Sequence, residues 1–238
     1  MKIKATTNTV VLLFVLISIS CKKEIPVEIQ NEQGTVTDVD GNIYKTVKIG
    51  EQWWMAENLN VKSYNDGTPI LEVSPLENDS TWSANTEGAM CRNDIRYGLL
   101  YNWFAITSTK KIAPIGWHIP TDDEWKTLER ELGMSESESD KTAWRGSDEA
   151  EQLIIKSSVG WPSESAAFGT NKSGFTALPG GCRLFNGSSN TNSNTAFWWT
   201  STEMDGNGWY RYLDYKKKTV FRSKTFKNYG LSIRCVKD

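Results

Sequence analysis

From residue 160 onward the chain falls into short aromatic runs separated by turn residues: "GWP", "SGFTALPGGCR", "AFWWTSTE", "GWYRYLDY", "TVFRSKTF" and "YGLSIRCVKD". This punctuation constrains the fold more than any other feature. Short runs between Gly, Asn and Asp read as strands, and the alternation in Trp209-Tyr210-Arg211-Tyr212-Leu213 reads as an antiparallel one. Eleven tryptophans and an aromatic content of 11 % supply a core from few, large side chains. The expectation is a loop-rich, aromatic-cored α+β fold with short antiparallel strands, two main helices and long ordered loops, not a helical bundle. At 238 residues there is room for one domain with a real core, or at most two small ones.

The stretch "TVTDVDGNIYKTVKIGEQWWMAENL", residues 35–59, opens the domain. Two alternating runs flank Asp40-Gly41-Asn42, a hairpin signal. Asp38, Asp40 and Asn42 also imitate the start of a calcium loop, but Ile49 stands where such a loop needs its bidentate Glu. The turn reading therefore takes precedence. "QWWMAENL" continues as a strand or buried aromatic stretch, and residues 62–96 read as a long ordered loop region. In "RYGLLYNWFAI" the apolar positions 97, 100, 101 and 104 follow a short helical period.

"GWHIPTDDEW", residues 116–125, holds the only histidine, beside three carboxylates. That combination suggests either an active site or a helix start. Thr121 and Glu124 match a capping box, in which the Thr hydroxyl takes the amide three residues on and the Glu carboxylate returns to the Thr amide. Asp122 and Asp123 fall in the first turn, where the helix dipole favours negative charge. Trp125, Leu128 and Leu132 form one buried stripe, and Gly133 ends the helix. Each carboxylate thus has a structural task, and His118 lacks an evident partner. "SDEAEQLIIKSS", residues 147–158, is the second expected helix.

Residues 1–20 read as a signal peptide, with Lys2 and Lys4 before the apolar run "VVLLFVLI" and small residues leading to Cys21. Eight apolar residues fall short of the roughly 20 that span a bilayer. Small residues followed by Cys resemble a bacterial lipoprotein signal, although Ser18 stands where Leu is usual. Cys21 is then the lipid attachment site, with an ordinary secretory peptide as the alternative. Residues 21–34 form a polar tether and 35–238 the domain. The expected address is the outer membrane or cell surface, reached through the N-terminal lipid, with a periplasm-facing anchor as second choice. A net charge of −2 argues against nucleic acid. Cys91, Cys182 and Cys235 contain no C-x-x-C spacing and there is one histidine, so no metal site of the zinc type is expected, nor any cofactor.

Seven pieces in order resemble the Fibrobacter succinogenes major paralogous domain family: "DGNIYKTVKIGEQWWMAENL", "YGLLYNW", "GWHIPTDDEW", "SGFTALPGG", "FWWTSTE", "WYRYLDY" and "YGLSIRCVKD". The resemblance implies secreted or lipid-anchored proteins with a C-type-lectin-like, sulfatase-modifying-factor type of fold. The family often has Cys where Ala113 stands and Tyr where Cys182 stands. On that comparison a Cys182–Cys235 disulfide is expected, with Cys91–Cys235 next.

The resemblance carries over no reaction. The expected function is a non-catalytic binding or display module of the cell envelope, with a polysaccharide or a surface protein as ligand. Candidate contact residues are Trp82, Trp161, Trp198, Trp199, Trp209 and Tyr210, and for most of them core packing is the favoured reading. A structural subunit of an envelope or fimbria-like assembly is one alternative. An enzyme of the sulfatase-modifying type is the other, and no catalytic residue is assigned. Ligand identity and oligomeric state are not legible in the sequence.

Overall fold

The computed structural model describes Asn31–Asp238 apart from residues 75–79, 157–159, 163–168 and 191–193. The expected signal peptide, Cys21 and tether residues up to 30 lie outside the described residues. The domain starts slightly earlier than expected. Strand β1 (Gln33–Thr37) takes up the last two tether residues, and Asn31 donates from Nδ2 to the Ser173 carbonyl at 2.7 Å.

β1 pairs antiparallel with β2 (Ile43–Ile49), Thr37 facing Ile43 across the turn. Asp38 holds that turn. Its Oδ1 accepts the Asp40 and Asn42 amides at 3.0 and 2.9 Å, and its Oδ2 accepts from the Asn42 side chain and the Tyr44 hydroxyl. The carboxylate is thus engaged in the turn, as the hairpin reading requires. β2 continues through β3 (Gln52–Met55) and β14 (Val236–Lys237) to β7 (Trp117–His118), in the order β1-β2-β3-β14-β7.

A second sheet runs β11 (Thr195–Met204), β12 (Asn207–Asp214), β13 (Val220–Thr225) and β8 (Ala143–Arg145), with antiparallel neighbours. Asp205 and Gly206, at φ +54° and +75°, make its two-residue hairpin loop. A small sheet joins β4 (Leu71–Glu72), β5 (Ala89–Cys91) and β6 (Leu100–Tyr101), and β9 (Cys182–Arg183) pairs with β10 (Ser189–Asn190). The closing segment ties these pieces together. Gly230 bridges Arg183, Leu231 bridges Tyr101, Ser232 bridges Trp198, and Val236 pairs with both Trp54 and His118.

Helices are few and short: α1 (Ser80–Ser83), α2 (Trp103–Ile106), α3 (Asp122–Glu131), α4 (Glu136–Ser139) and α5 (Glu149–Leu153). The helix expected over 147–158 shrinks to α5, because Ile154 leaves it to bridge Ala177. In residues 96–106, positions 97, 100 and 101 are buried, as a core reading of the segment expects, but the helical period does not describe one element. The segment divides into a 3-10 turn (Ile95–Tyr97), β6 and α2, broken at Gly98, whose φ is +80°. There the backbone passes close to Asn58 and Leu59, and a Cβ would lie 2.9 Å from the Leu59 carbonyl. The fold is therefore mixed α+β, mostly antiparallel sheet.

Tryptophans organise the core. Trp54, Trp125, Phe175 and Trp198 cluster beneath α3, while Trp103 and Trp199 meet edge to face at 5.2 Å in a second cluster. The neighbours Trp198 and Trp199 thus serve different clusters.

Candidate functional site

At the helix start, Thr121 Oγ1 accepts the Glu124 amide at 3.2 Å and Glu124 Oε2 accepts the Thr121 amide at 2.7 Å. The capping box is complete. His118 is not without partners, contrary to the sequence reading. Its Nε2 lies 2.7 Å from Glu124 Oε1 and its Nδ1 lies 2.7 Å from Asp238 Oδ1. Burial opposes the imidazolium, but hydrogen bonds to Asp238 and Glu124 outweigh it, and the pKa is raised. Asp238 comes from the chain's last residue, so sequence distance concealed it. The ring ties β7, α3 and the C-terminus together.

Asp122 also does more than answer the helix dipole. It is buried and accepts from Arg211 Nη1 at 2.7 Å and Arg222 Nη2 at 2.6 Å. Two turns further along the same helix face, Glu129 takes Arg211 Nε at 2.7 Å and the Arg145 guanidinium. Two carboxylates seven residues apart thereby lock α3 onto β8, β12 and β13.

The expected Cys182–Cys235 disulfide is absent: Cys91, Cys182 and Cys235 are all free, buried thiols. Topology explains this. Arg183 pairs with Gly230, and Cys235 lies five residues further along the closing segment, on the order of 15 Å at strand rise. A disulfide needs Cα atoms within about 7 Å. Burial pushes the thiols up, to about 11 for Cys91 and about 12 for Cys182.

Five of the six candidate contact residues are corrected by burial. Trp82, Trp161, Trp198, Trp199 and Trp209 are each at most 4 % exposed. Four indole N–H groups have internal acceptors: Trp82 to Asn228, Trp161 to Ala177, Trp198 to Asn58 and Trp199 to Tyr101. The Arg222 guanidinium covers the Trp209 ring at 3.9 Å.

Tyr210 has a different setting. It is half-buried beside an aromatic rung that crosses the whole second sheet. The register places Phe197 opposite Tyr212, Tyr212 opposite Phe221, and Phe221 opposite Trp144. Ring centroids are 4.5 Å apart for Phe197–Tyr212, stacked at 7°, then 5.7 Å to Phe221 and 5.2 Å on to Trp144. All four rings and Tyr210 are half-buried, while the alternating Trp209, Arg211 and Leu213 face inward. Polar groups rim the rung. Asp214 accepts from the Tyr212 hydroxyl at 2.6 Å, Ser223 stands opposite Tyr210 across the strands, and Lys217 Nζ sits 5.8 Å over Trp144. Aromatic faces beside hydroxyl, carboxylate and ammonium groups provide stacking and hydrogen bonding together. Sequence reasoning missed Trp144, Phe197, Tyr212 and Phe221. The period of two in "WYRYLDY" was the available signal, since it separates Tyr210 from Trp209.

Residues 47–237 match the family described as Fibrobacter succinogenes major domain. The chain belongs to this family. No curated protein and no solved structure matches it. In this Fibrobacter major domain protein, both the capped helix and the aromatic rung fall inside the matched residues. Among the described residues, no helix is long and apolar enough to cross a membrane, and no His, Cys, Asp and Glu cluster is arranged to hold a metal ion.

Proposed function

We propose that the protein is a lipid-anchored component of the cell envelope, held through Cys21 at the outer membrane or cell surface. Its family domain, of C-type-lectin-like fold, is a non-catalytic binding module that grips glycan chains. The observation that carries this reading is the half-buried rung Phe197–Tyr212–Phe221–Trp144 with its polar rim. Sugars present apolar ring faces edged with hydroxyls, and such a rung meets both. Short antiparallel strands, one substantial helix and long ordered connections support the fold assignment. Buried thiols with raised pKa values are poor nucleophiles, which supports a non-catalytic role.

A polysaccharide array on the protein tests the reading. Retention of at least one glycan at millimolar strength is expected, lost in Trp144→Ala and Tyr212→Ala. Absence of any retained glycan sinks it. A stoichiometric protein partner recovered through the same rung would make the face an assembly contact instead. Protease shaving of intact cells, with a periplasmic control, tests the address.

A further inference from the structure

The outermost strand of a sheet leaves a row of backbone groups without partners, and folded proteins blunt such edges by covering, shortening or charging them. This molecule does so almost everywhere. β11, its longest strand, is covered along its outer side: Ala196 bridges Gly181, Trp198 bridges Ser232, and the Ser201 amide donates to the Pro120 carbonyl at 2.7 Å. β4, β7, β8 and β10 are only two or three residues long, and in β8 Ala143 leaves the extended line at φ +63°. β1 is the exception. It ends the first sheet with Gln-Gly-Thr-Val-Thr, five residues in continuous register that carry no charge and no proline. The ladder to β2 shows which way its backbone points. Glu32 accepts from the Lys48 amide and Asp38 donates to the Asn42 carbonyl, so the even-numbered positions bond β2. Lys45, opposite Thr35, turns both its backbone groups the other way: its amide donates to Glu57 Oε2 and its carbonyl accepts from Ala56. The amides and carbonyls of Gln33, Thr35 and Thr37 therefore face outward. Their side chains are exposed, and among the described residues β1 pairs with no second strand. Two large apolar side chains, Val39 and Ile43, also lie exposed at the end of this hairpin, at 47 % and 68 %.

The sequence of the strand indicates what covers it. Run antiparallel to a copy of itself about a two-fold axis at Thr35, β1 sets Thr35 against Thr35 and Gln33 against Thr37, with no like charges opposed. All three outward positions then fall in facing pairs, and each such pair exchanges two hydrogen bonds. The chain's own preceding residues fit less well. Asn31 is tied to the Ser173 carbonyl and Glu32 to Lys48, so a fold-back has to turn before residue 31. The strand it would offer, Glu24-Ile-Pro-Val-Glu28, has Pro26 at its centre, which brings no amide, and a carboxylate at each end. We infer that β1 is the docking edge for a second copy of this chain, joining two five-stranded sheets into one across a two-fold axis at Thr35. The inference is independent of the aromatic rung.

Cysteine cross-linking of the full chain in intact expressing cells, read on a non-reducing gel, tests the register. Facing residues have Cα atoms about 5.5 Å apart, within disulfide reach. After mild oxidation Thr35→Cys should give a covalent dimer above the background of the parent chain, whose Cys91, Cys182 and Cys235 are buried. Gln33→Cys alone should give at least about tenfold less, because its two copies stand roughly 14 Å apart at strand rise. Mixing Gln33→Cys copies with Thr37→Cys copies should restore the dimer. In sedimentation of the purified protein, Thr35→Lys sets two ammonium groups face to face and should weaken self-association about tenfold or more at unchanged melting temperature. Thr35→Pro removes an outward amide and no bond to β2, and should do the same. Trp144→Ala should leave the dimer intact. The inference is overturned if Thr35→Cys gives no dimer, if Gln33→Cys alone links as readily, or if the protein associates equally with and without Thr35→Lys and Thr35→Pro. A monomer whose Thr35 amide is nonetheless protected from hydrogen exchange would also overturn it, by assigning the edge to the chain's own tether.

Discussion

His118 and Asp122 stand four residues apart, and the structure gives them opposite pH dependences. The raised pKa of His118 means that its ion pairs stabilise the fold below the unfolded value of about 6.5 and lose that effect as pH rises through the folded value. His118→Gln should therefore lower stability at pH 5.5 more than at pH 8.5. The loss is about 0.5 kcal/mol, because the pair is partly solvated. Urea melts at the two pH values check this, and an equal loss at both would refute the ion-pair role. For Asp122, burial raises the pKa, but the Arg222 hydrogen bond and the Arg211 charge override it and hold the carboxyl at about 2. Its contribution is present above the unfolded value of about 3.9 and is lost as pH falls toward 2. Asp122→Asn leaves two buried guanidinium groups short of a carboxylate and should cost about 3–5 kcal/mol. A chemical denaturation series with a loss below 1 kcal/mol would show the clamp to be dispensable.

At the scale of elements, α3 was legible in detail because its signals are local. The cap, the apolar stripe and the terminal glycine all lie within thirteen consecutive residues, 121–133. Thr121→Ala should cost about 1 kcal/mol. Glu124 is shared between the cap and His118, so the double variant with His118→Gln should be non-additive in a thermodynamic cycle. Strict additivity would mean that the cap and the imidazole act separately. The first hairpin was readable for the same reason: Asp38 and the two backbone amides it holds in the turn span five residues, 38–42. By contrast, α5 ends where Ile154 finds Ala177, a partner 23 residues away. Such pairing overrides local periodicity and leaves no local trace. The aromatic rung lies between these cases. Alternation in "WYRYLDY" separates two faces, but only the register with β8, β11 and β13 shows that one face carries the four-ring rung and the other the arginines.

For the molecule as a whole, the closing segment decides how the pieces join. It contacts β6, β9 and β11 through Leu231, Gly230 and Ser232, then enters the first sheet as β14 between β3 and β7. That path carries Cys235 away from Cys182 and seats it against Met55, whose amide it meets through its carbonyl at 3.0 Å. The native protein should thus leave Cys91, Cys182 and Cys235 unreactive toward a thiol reagent at neutral pH, and all three should titrate after denaturation. A missing pair of thiols after denaturation would restore a disulfide.

The family, the α+β class, the first hairpin and the capped helix can all be read from the chain before it folds, because each rests on residue types at short spacing. Tertiary structure alone decided which tryptophans are buried, where the thiols lie, what His118 touches, and that four rings form one rung. Those outcomes depend on strand register and on contacts between residues tens to more than a hundred positions apart, as between His118 and Asp238. Local propensity carries no record of them.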